Sequence, residues 1–420
     1  MSINNHEEFE NYIEKTYNFK EKWKDQCSKY NIGYLPSSLP AVRRIIVIGD
    51  IHGDWEMAQQ LLKVGKVIDD DGNWIGDDTV VVQVGDQIDR CRPTINSYCN
   101  TPGVTNPDED SDWKILQYFT ELHKLARSAG GAVYSLIGNH ELMNVNGDFR
   151  YVSYKGITDF HNYKNPYNTD SDYSNLKSDY SNLKDESSIS VSSENKKFSN
   201  SILKEQTSIN LIYKHTILSN DKLKDNTELR KWAFKPGNPI SEFLACTRHM
   251  AIIIGSNLFV HAGVLPEIAK KYSVSNLNQL MSLYLWNKLE SPESYDEVFK
   301  SSDISPLWNR VFGNFGMQQY SNLNKYINLD DAALKCSQLL NPLKEIYGVG
   351  NIYVGHTPLM DHGISSVCDG KIWLTDFGAS KAFDKFDTQL PQRSDIRKAQ
   401  VLEILYDGDL NKGGGIKILK

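Results

Sequence analysis

Apolar residues near the N-terminus recur at helical spacing, with Phe9, Tyr12, Ile13, Tyr17 and Trp23 set among Glu and Lys until Gly33 and Pro36 interrupt the pattern. This predicts an N-terminal helical segment over 1–40 that packs on a neighbour. The period then changes. Ile45-Ile46-Val47-Ile48 is a β-branched run closed by Gly49-Asp50, and a helical pattern carrying Trp55, Ala58, Leu61 and Leu62 follows. The order strand, loop, helix returns with 79–84 before Gly85-Asp86, then a helix bearing Trp113, Leu116, Phe119, Leu122, Leu125 and Ala126, then 132–137 before Gly138-Asn139. Alternation of this kind predicts an α/β sheet.

From about 162 to 226 the composition shifts to Asn, Ser, Asp, Tyr and Lys and includes a duplication, Ser171-Asp172-Tyr173-Ser174-Asn175-Leu176-Lys177 followed by Ser178-Asp179-Tyr180-Ser181-Asn182-Leu183-Lys184. Such a stretch buries little apolar area, so 162–235 is expected to be a flexible low-complexity insertion with a short helix around 209–218. Strands are predicted again at 249–254, 258–260, 351–354, 364–367, 372–375 and 401–406, with Asp369-Gly370 as a hairpin turn. The fold class expected is therefore α/β, with two packed mixed β-sheets flanked by helices, built from 41–161 and 236–420.

Charge narrows the function. The 420 residues carry 46 Lys+Arg against 53 Asp+Glu, a net −7, which argues against electrostatic nucleic-acid binding. No apolar stretch approaches the roughly 18 residues a membrane span needs. The polar, acidic N-terminus has no basic or apolar leader pattern, so a cytoplasmic protein without membrane partners is expected. Six cysteines, Cys27, Cys91, Cys99, Cys246, Cys336 and Cys368, show no CxxC or zinc-ribbon spacing. They are expected to be free thiols, with Cys91 and Cys99 close enough for a local loop disulfide as the alternative.

The candidate chemistry sits where strands end. Asp50 and His52 in Gly49-Asp50-Ile51-His52-Gly53-Asp54 point the same way in extended chain, so carboxylate and imidazole can converge. Asp86 follows the second strand in Gly85-Asp86-Gln87-Ile88-Asp89-Arg90, at the carboxyl edge where open α/β sheets form their crevice. Asp89 and Arg90 could also be a plain ion pair, and Asn139 in Gly138-Asn139-His140-Glu141 a helix cap. His261 in Val260-His261-Ala262-Gly263 and His356 in Val354-Gly355-His356-Thr357-Pro358 stand at two further strand ends.

Together these blocks resemble the metal-dependent phosphoesterases typified by calcineurin, whose signatures GD-x-HG, GD-x-x-DRG, GNHE, H-x-G and GH appear here in order over about 41–161 and 236–380. Asp89-Arg90 and the Gly138 block resemble the phosphoprotein phosphatase branch. Arg248-His249, the His261 block through Pro266, Leu307-Trp308-Asn309-Arg310 and Gly355-His356-Thr357-Pro358 are most similar to the Shewanella-like phosphatases. The resemblance implies two divalent metal ions, Mn first and Fe or Zn as alternatives. One would be held by Asp50, His52 and Asp86, the other by Asp86, Asn139, His261 and His356, with Asp86 bridging. A carboxylate can span cations about 3.5–4 Å apart, and a hydroxide bridging them would attack phosphorus. By the same resemblance His140 would be the general acid, oriented by Asp89, with Arg90 gripping the phosphate and Arg310 or Arg248 as a second clamp.

This chain departs from the pattern in three places. Cys91 stands where a glycine usually follows the Asp-Arg pair, Ala262 where relatives often have glycine, and Pro358 where many phosphodiesterases carry a second histidine. The last favours phosphomonoesters. The leading expectation is thus a protein phosphatase (Ser/Thr or Tyr) acting on a phosphorylated protein or small phosphoester. A dinucleoside polyphosphate hydrolase or phosphodiesterase is the alternative. A third reading is a non-catalytic metal-binding scaffold whose insertion recruits a protein partner.

Overall fold

Four β-branched residues in a row explain the centre of the molecule. Ile45, Ile46, Val47 and Ile48 are all buried in β2 (Arg44–Ile48), as expected of a strand covered on both faces. The computed structural model, which describes residues 6–162, 220–320, 329–389 and 393–420, places β2 in a six-stranded mixed sheet. Beside it run, in parallel, β3 (Val80–Gln83), β4 (Ala132–Leu136) and the short β5 (Arg248–His249). On its other edge β11 (Val401–Leu405) and β12 (Gly415–Leu419) pair antiparallel. The last of these was not foreseen from the sequence.

The second six-stranded sheet contains β1 (Ser38–Leu39), β6 (Ala251–Ile254), β7 (Asn257–Val260), β8 (Asn351–Val354), β10 (Ile372–Leu374) and β9 (Ser365–Val367), in that spatial order. The two mixed sheets flanked by helices are the architecture expected. One hydrophobic core runs through both. The Asp369-Gly370 hairpin is present, with Cys368, Asp369 and Gly370 at φ 55°, 54° and 75° between antiparallel β9 and β10.

Three expectations are corrected. The strand read as 249–254 is two, because the chain passes from one sheet to the other at Met250, where Asn278 Oδ1 accepts from Met250 N at 2.8 Å and Ala251 N at 3.1 Å. The expected insertion runs too far. Asn220–Phe234 is a helix with Leu229, Arg230, Ala233 and Phe234 buried, whereas the repeat and the 209–218 helix lie outside the described residues. The cysteines are not free thiols: Cys27–Cys246, Cys91–Cys99 and Cys336–Cys368 are disulfides with Cα–Cα distances of 5.2, 5.8 and 5.5 Å. Two of those pairs are made by the fold and leave no local mark in the chain.

The N-terminal segment forms two helices, His6–Tyr17 and Phe19–Cys27, broken at Asn18, whose φ is 50°. Phe9, Ile13, Tyr17 and Phe19 are buried, and Cys27 ties the second helix to Pro239–Thr247. Among the described residues no helix is long and apolar enough to cross a membrane.

Candidate metal and phosphoester site

The parallel strands β2, β3 and β4 end side by side, so their following loops meet. Asp50 and His52 come from the first, Asp86 and Asp89 from the second, Asn139 and His140 from the third. β7 and β8 of the facing sheet bring His261 and His356 to the same place. All eight are buried. His52, Asp86 and His140 each offer a ligand atom within 4.8 Å of one another, and so do Asp86, His261 and His356. Asp86 belongs to both groups, as a bridging carboxylate must.

Backbone and neighbours hold these side chains in place. His52, Asp86 and His356 adopt φ of 46°, 53° and 67°, a conformation costly for residues with a Cβ and typical of functional turns. Asp86 Oδ1 accepts from His140 N at 2.9 Å and lies 3.4 Å from His261 Nε2, while Oδ2 lies 3.8 Å from both His52 Nε2 and His140 Nε2. Asp50 accepts from His356 N at 3.0 Å and lies 3.8 Å from His52 Nε2. Asn139 Oδ1 is 2.9 Å from His261 Nε2, whose other nitrogen meets Val84 O at 2.9 Å. The cap of this helix is Gly138 and not Asn139. Glu141 reaches back to Gly138 N at 2.7 Å and to Asp86 N at 3.0 Å, which frees the Asn139 amide for the site.

The electrostatics suit divalent cations. Burial pushes Asp50 well above the usual carboxylate range, and Asp376 and Asp86 add to the effect. Burial also pushes Asp86 up, but His261, His140 and His52 outweigh it and hold its carboxyl well below that range. Burial lowers His52 and His356, the latter with help from His261 and Arg310, which favours their neutral form; burial lowers His261 as well, but Asp86 outweighs it and holds that imidazole above its usual value. The backbone makes room as well. A Cβ on Gly355 would lie 2.1 Å from Asp50 Oδ1, and one on Gly138 2.1 Å from Asp86 Oδ1. Clustered carboxylates, imidazoles and an amide oxygen form an N/O donor set that fits Mn, Fe or Zn.

His140 has its Nδ1 at 2.7 Å from Asp89 Oδ2, which leaves Nε2 toward the cluster. Of the three expected arginines, Arg310 bonds one of the site residues directly. Its Nη1 donates to His356 O at 2.9 Å and Thr357 Oγ1 at 3.2 Å from an exposed position. Arg90 is buried, with Nη1 on Gly53 O at 3.0 Å, Glu109 at 2.8 Å and Asp54 at 3.3 Å, and Nε on Pro107 O at 3.0 Å. Arg248 is buried behind the β3 loop against Gln87, Thr120 and Leu116 O.

Two residues escaped the sequence reading. Arg92 bonds Asp89 O at 3.2 Å and Cys91 O at 2.8 Å through Nη1, and among the described residues its Nε and Nη2 have no acceptor. Its guanidinium lies 4.5 Å from the Phe383 ring and 5.5 Å from Tyr151, and these rings lie 5.6 Å from His52 and 4.8 Å from His140. Its charge is felt at Asp50, His52, Asp86 and Asp376. Asp376, buried after β10, is a further carboxylate beside Asp50 and Asp86, raised chiefly by burial. A metal-competent side chain at a strand end with glycine two residues on was its signal, as in His261-Ala262-Gly263.

The family model described as calcineurin-like phosphoesterase matches residues 43–241, which span the Asp50, Asp86 and Asn139 blocks. The chain belongs to that family. It is 27% identical over 369 residues to Shewanella-like protein phosphatase 2 of Arabidopsis thaliana, covering 88% of this chain and 79% of that protein. It is also 30% identical over 312 residues to an uncharacterised protein of Acanthamoeba polyphaga mimivirus, covering 69% of this chain and 95% of the viral one. Among solved structures, the cold-active protein-tyrosine phosphatase of a psychrophilic Shewanella shares the fold, with a TM-score of 0.52 and 18% identity over 93% of this chain and 84% of that one. This calcineurin-like phosphoesterase therefore carries the family's blocks on the family's fold.

Proposed function

We propose that the protein is a dinuclear metal-dependent phosphomonoesterase acting on phosphorylated protein, with manganese as the preferred metal. Asp50, His52 and Asp86 would hold one ion, and Asp86, Asn139, His261 and His356 the other. When bound, the ions supply charge to polarise the phosphoryl oxygens and lower the pKa of an attacking water. The chain's own groups do the rest. His140 holds a proton on Nε2 for the departing oxygen, and Asp89 keeps Nδ1 occupied so that Nε2 faces the substrate. Arg92, whose charge is felt at His52, and Arg310, which bonds His356 O, offer donors to the phosphate oxygens.

The observation that carries this reading is the short Asp89–His140 contact beside Asp86, a carboxylate common to both donor groups. The names of the relatives favour a phosphoprotein over a small phosphoester, and Pro358 at the second position after His356 favours monoesters over diesters. The three disulfides support an oxidising compartment in place of the cytoplasm expected from the sequence. The test is hydrolysis of p-nitrophenyl phosphate, bis-p-nitrophenyl phosphate and a phosphotyrosine peptide with Mn²⁺ and with chelator. Chelator-sensitive turnover of the monoester and peptide is expected. Preference for the diester would reassign the protein as a phosphodiesterase.

A further inference from the structure

Behind the site lies an arginine that the reaction scheme does not use. Arg230, on the helix Asn220–Phe234, has no exposed surface. Its Nε donates to Asn144 Oδ1 at 2.9 Å and its Nη2 to Asp112 Oδ2 at 2.7 Å, with Asp89 Oδ1 3.8 Å from the same nitrogen. Each of these neighbours bears on Asp89. Asn144 Nδ2 donates to Asp89 Oδ1 at 2.9 Å and to His140 O at 3.0 Å, while Asp112 Oδ1 accepts from Asp89 N at 3.1 Å. The remaining donor, Nη1, meets Gly156 O at 3.2 Å.

We infer that Arg230 is a positioning residue for proton delivery: through Asn144 and Asp112 it fixes the rotation of Asp89, and through Asp89 the imidazole of His140. This rests on the general-acid role proposed for His140. The chemistry of the link is directional. A guanidinium only donates, so Asn144 must turn its oxygen to Arg230 and its NH₂ to Asp89, and Asp89 Oδ1 is thereby engaged. The other carboxylate oxygen, Oδ2, is left for His140 Nδ1.

Burial makes this arrangement hard to explain by stability alone. A desolvated Arg–Asp pair adds little net stability, because removing both charges from water costs about as much as their attraction returns. Phe149, Phe160 and Phe234 surround the guanidinium at 5.8, 5.2 and 4.9 Å, which suits a flat cation and leaves little water to replace it. The pair Arg397 with Asp384 and Asp387 provides the contrast: it too is an arginine between carboxylates, but neither acid touches His140.

The experiment compares phenyl phosphate, whose leaving oxygen needs a proton, with p-nitrophenyl phosphate, which leaves readily without one. Wild type, Arg230→Met and Arg230→Lys are assayed with Mn²⁺, each also in a His140→Ala background. His140→Ala is expected to lose far more on phenyl phosphate than on p-nitrophenyl phosphate. Arg230→Met should show the same bias, losing about tenfold or more on the poor leaving group beyond its loss on the good one, with partial recovery in Arg230→Lys and no added bias once His140 is gone. Equal losses on both substrates, or an added bias in the His140→Ala background, would overturn the inference and leave a structural ion pair. Where Arg230→Met does not fold, Arg230→Lys decides by the same criterion. Should wild type turn over neither ester, the phosphatase reading fails, and the metal-free protein still tests the link. The hydrogen-bonded Nδ1 proton of His140, observed by NMR, is expected to move in Arg230→Lys, and an unchanged resonance overturns it.

Discussion

Besides Asn139 and Asp86, the loop after β4 and the loop after β3 present His140 and Arg92 to the same site, and they hold these two groups in opposite ways. His140 stands in the first turn of Asn139–Val145, its backbone N bonded to Asp86, its ring to Asp89, and its helix start capped by Glu141. Behind it Asn144, Asp112 and Arg230 form a closed set of charged hydrogen bonds. Arg92, in contrast, hangs from two backbone carbonyls between two aromatic rings, on a loop pinned by Cys91–Cys99. On the proposed reading, the group that releases a proton along one direction is the one held by bonds to its backbone, its ring and its helix start. The group proposed to grip the oxygens of an incoming substrate keeps two of its nitrogens without acceptors among the described residues.

The largest effect is expected where the two loops are joined, at Asp86. Asp86→Asn removes the shared carboxylate of both donor groups, and turnover should fall about 10³-fold or more as the charge compensation is lost. Metal content per chain, measured by elemental analysis after dialysis, should fall with it. Near-normal rate with two metals bound would count against the bridging role.

The two arginines of the β3 loop sharpen the contrast between bracing and gripping. Arg92→Ala should lower kcat/KM for aryl phosphates by about 100-fold, the value of one or two charged hydrogen bonds to phosphate, with little change in melting temperature. Arg90→Ala should do the reverse. It strips Asp54 and Glu109 of a buried partner and should cost about 3–5 kcal/mol of stability, measured by denaturant unfolding. A specific loss of phosphate affinity in Arg90→Ala, with stability intact, would restore the role expected from sequence.

Why one loop was legible and the other was not follows from where the partners lie. In Gly138-Asn139-His140-Glu141 the cap, the proposed ligand, the proposed acid and the brace are contiguous, so four letters at a strand end imply most of the geometry. The strand-end positions of Asp50, His52, Asp86, His261 and His356 were readable for the same reason, since a strand terminus fixes both place and direction. After Asp89 the chain turns at φ 75° and Cys91 enters a disulfide, so the arginine that reaches the site is displaced by two residues. Nothing in the letters Arg90-Cys91-Arg92 says which of the two faces inward. Arg230 was further out of reach, because its partners lie 86 and 118 residues away and a lone arginine in a polar stretch reads as solvated. Cys27 and Cys246, separated by 219 residues, meet only because the N-terminal helices dock.

The smallest expected effect tests whether the loop disulfide serves Arg92 alone. Replacing Cys91 and Cys99 together by Ser opens an eight-residue link, which restores conformational freedom to the segment that carries Arg92 but touches none of the bonds around His140. KM for p-nitrophenyl phosphate should rise about three- to tenfold, since part of the ordering cost of the loop then falls on substrate binding. The leaving-group dependence should stay that of wild type, because Asp89, Asn144 and Arg230 still hold the acid. Cys91 N also bonds Tyr151 O at 3.0 Å, and the Tyr151 ring lies against His140, so there is one route by which slack in this loop could reach the acid. A change in leaving-group dependence in the Ser pair would mean that this route carries real coupling, and that the gripping and proton-delivering sides of the site move together.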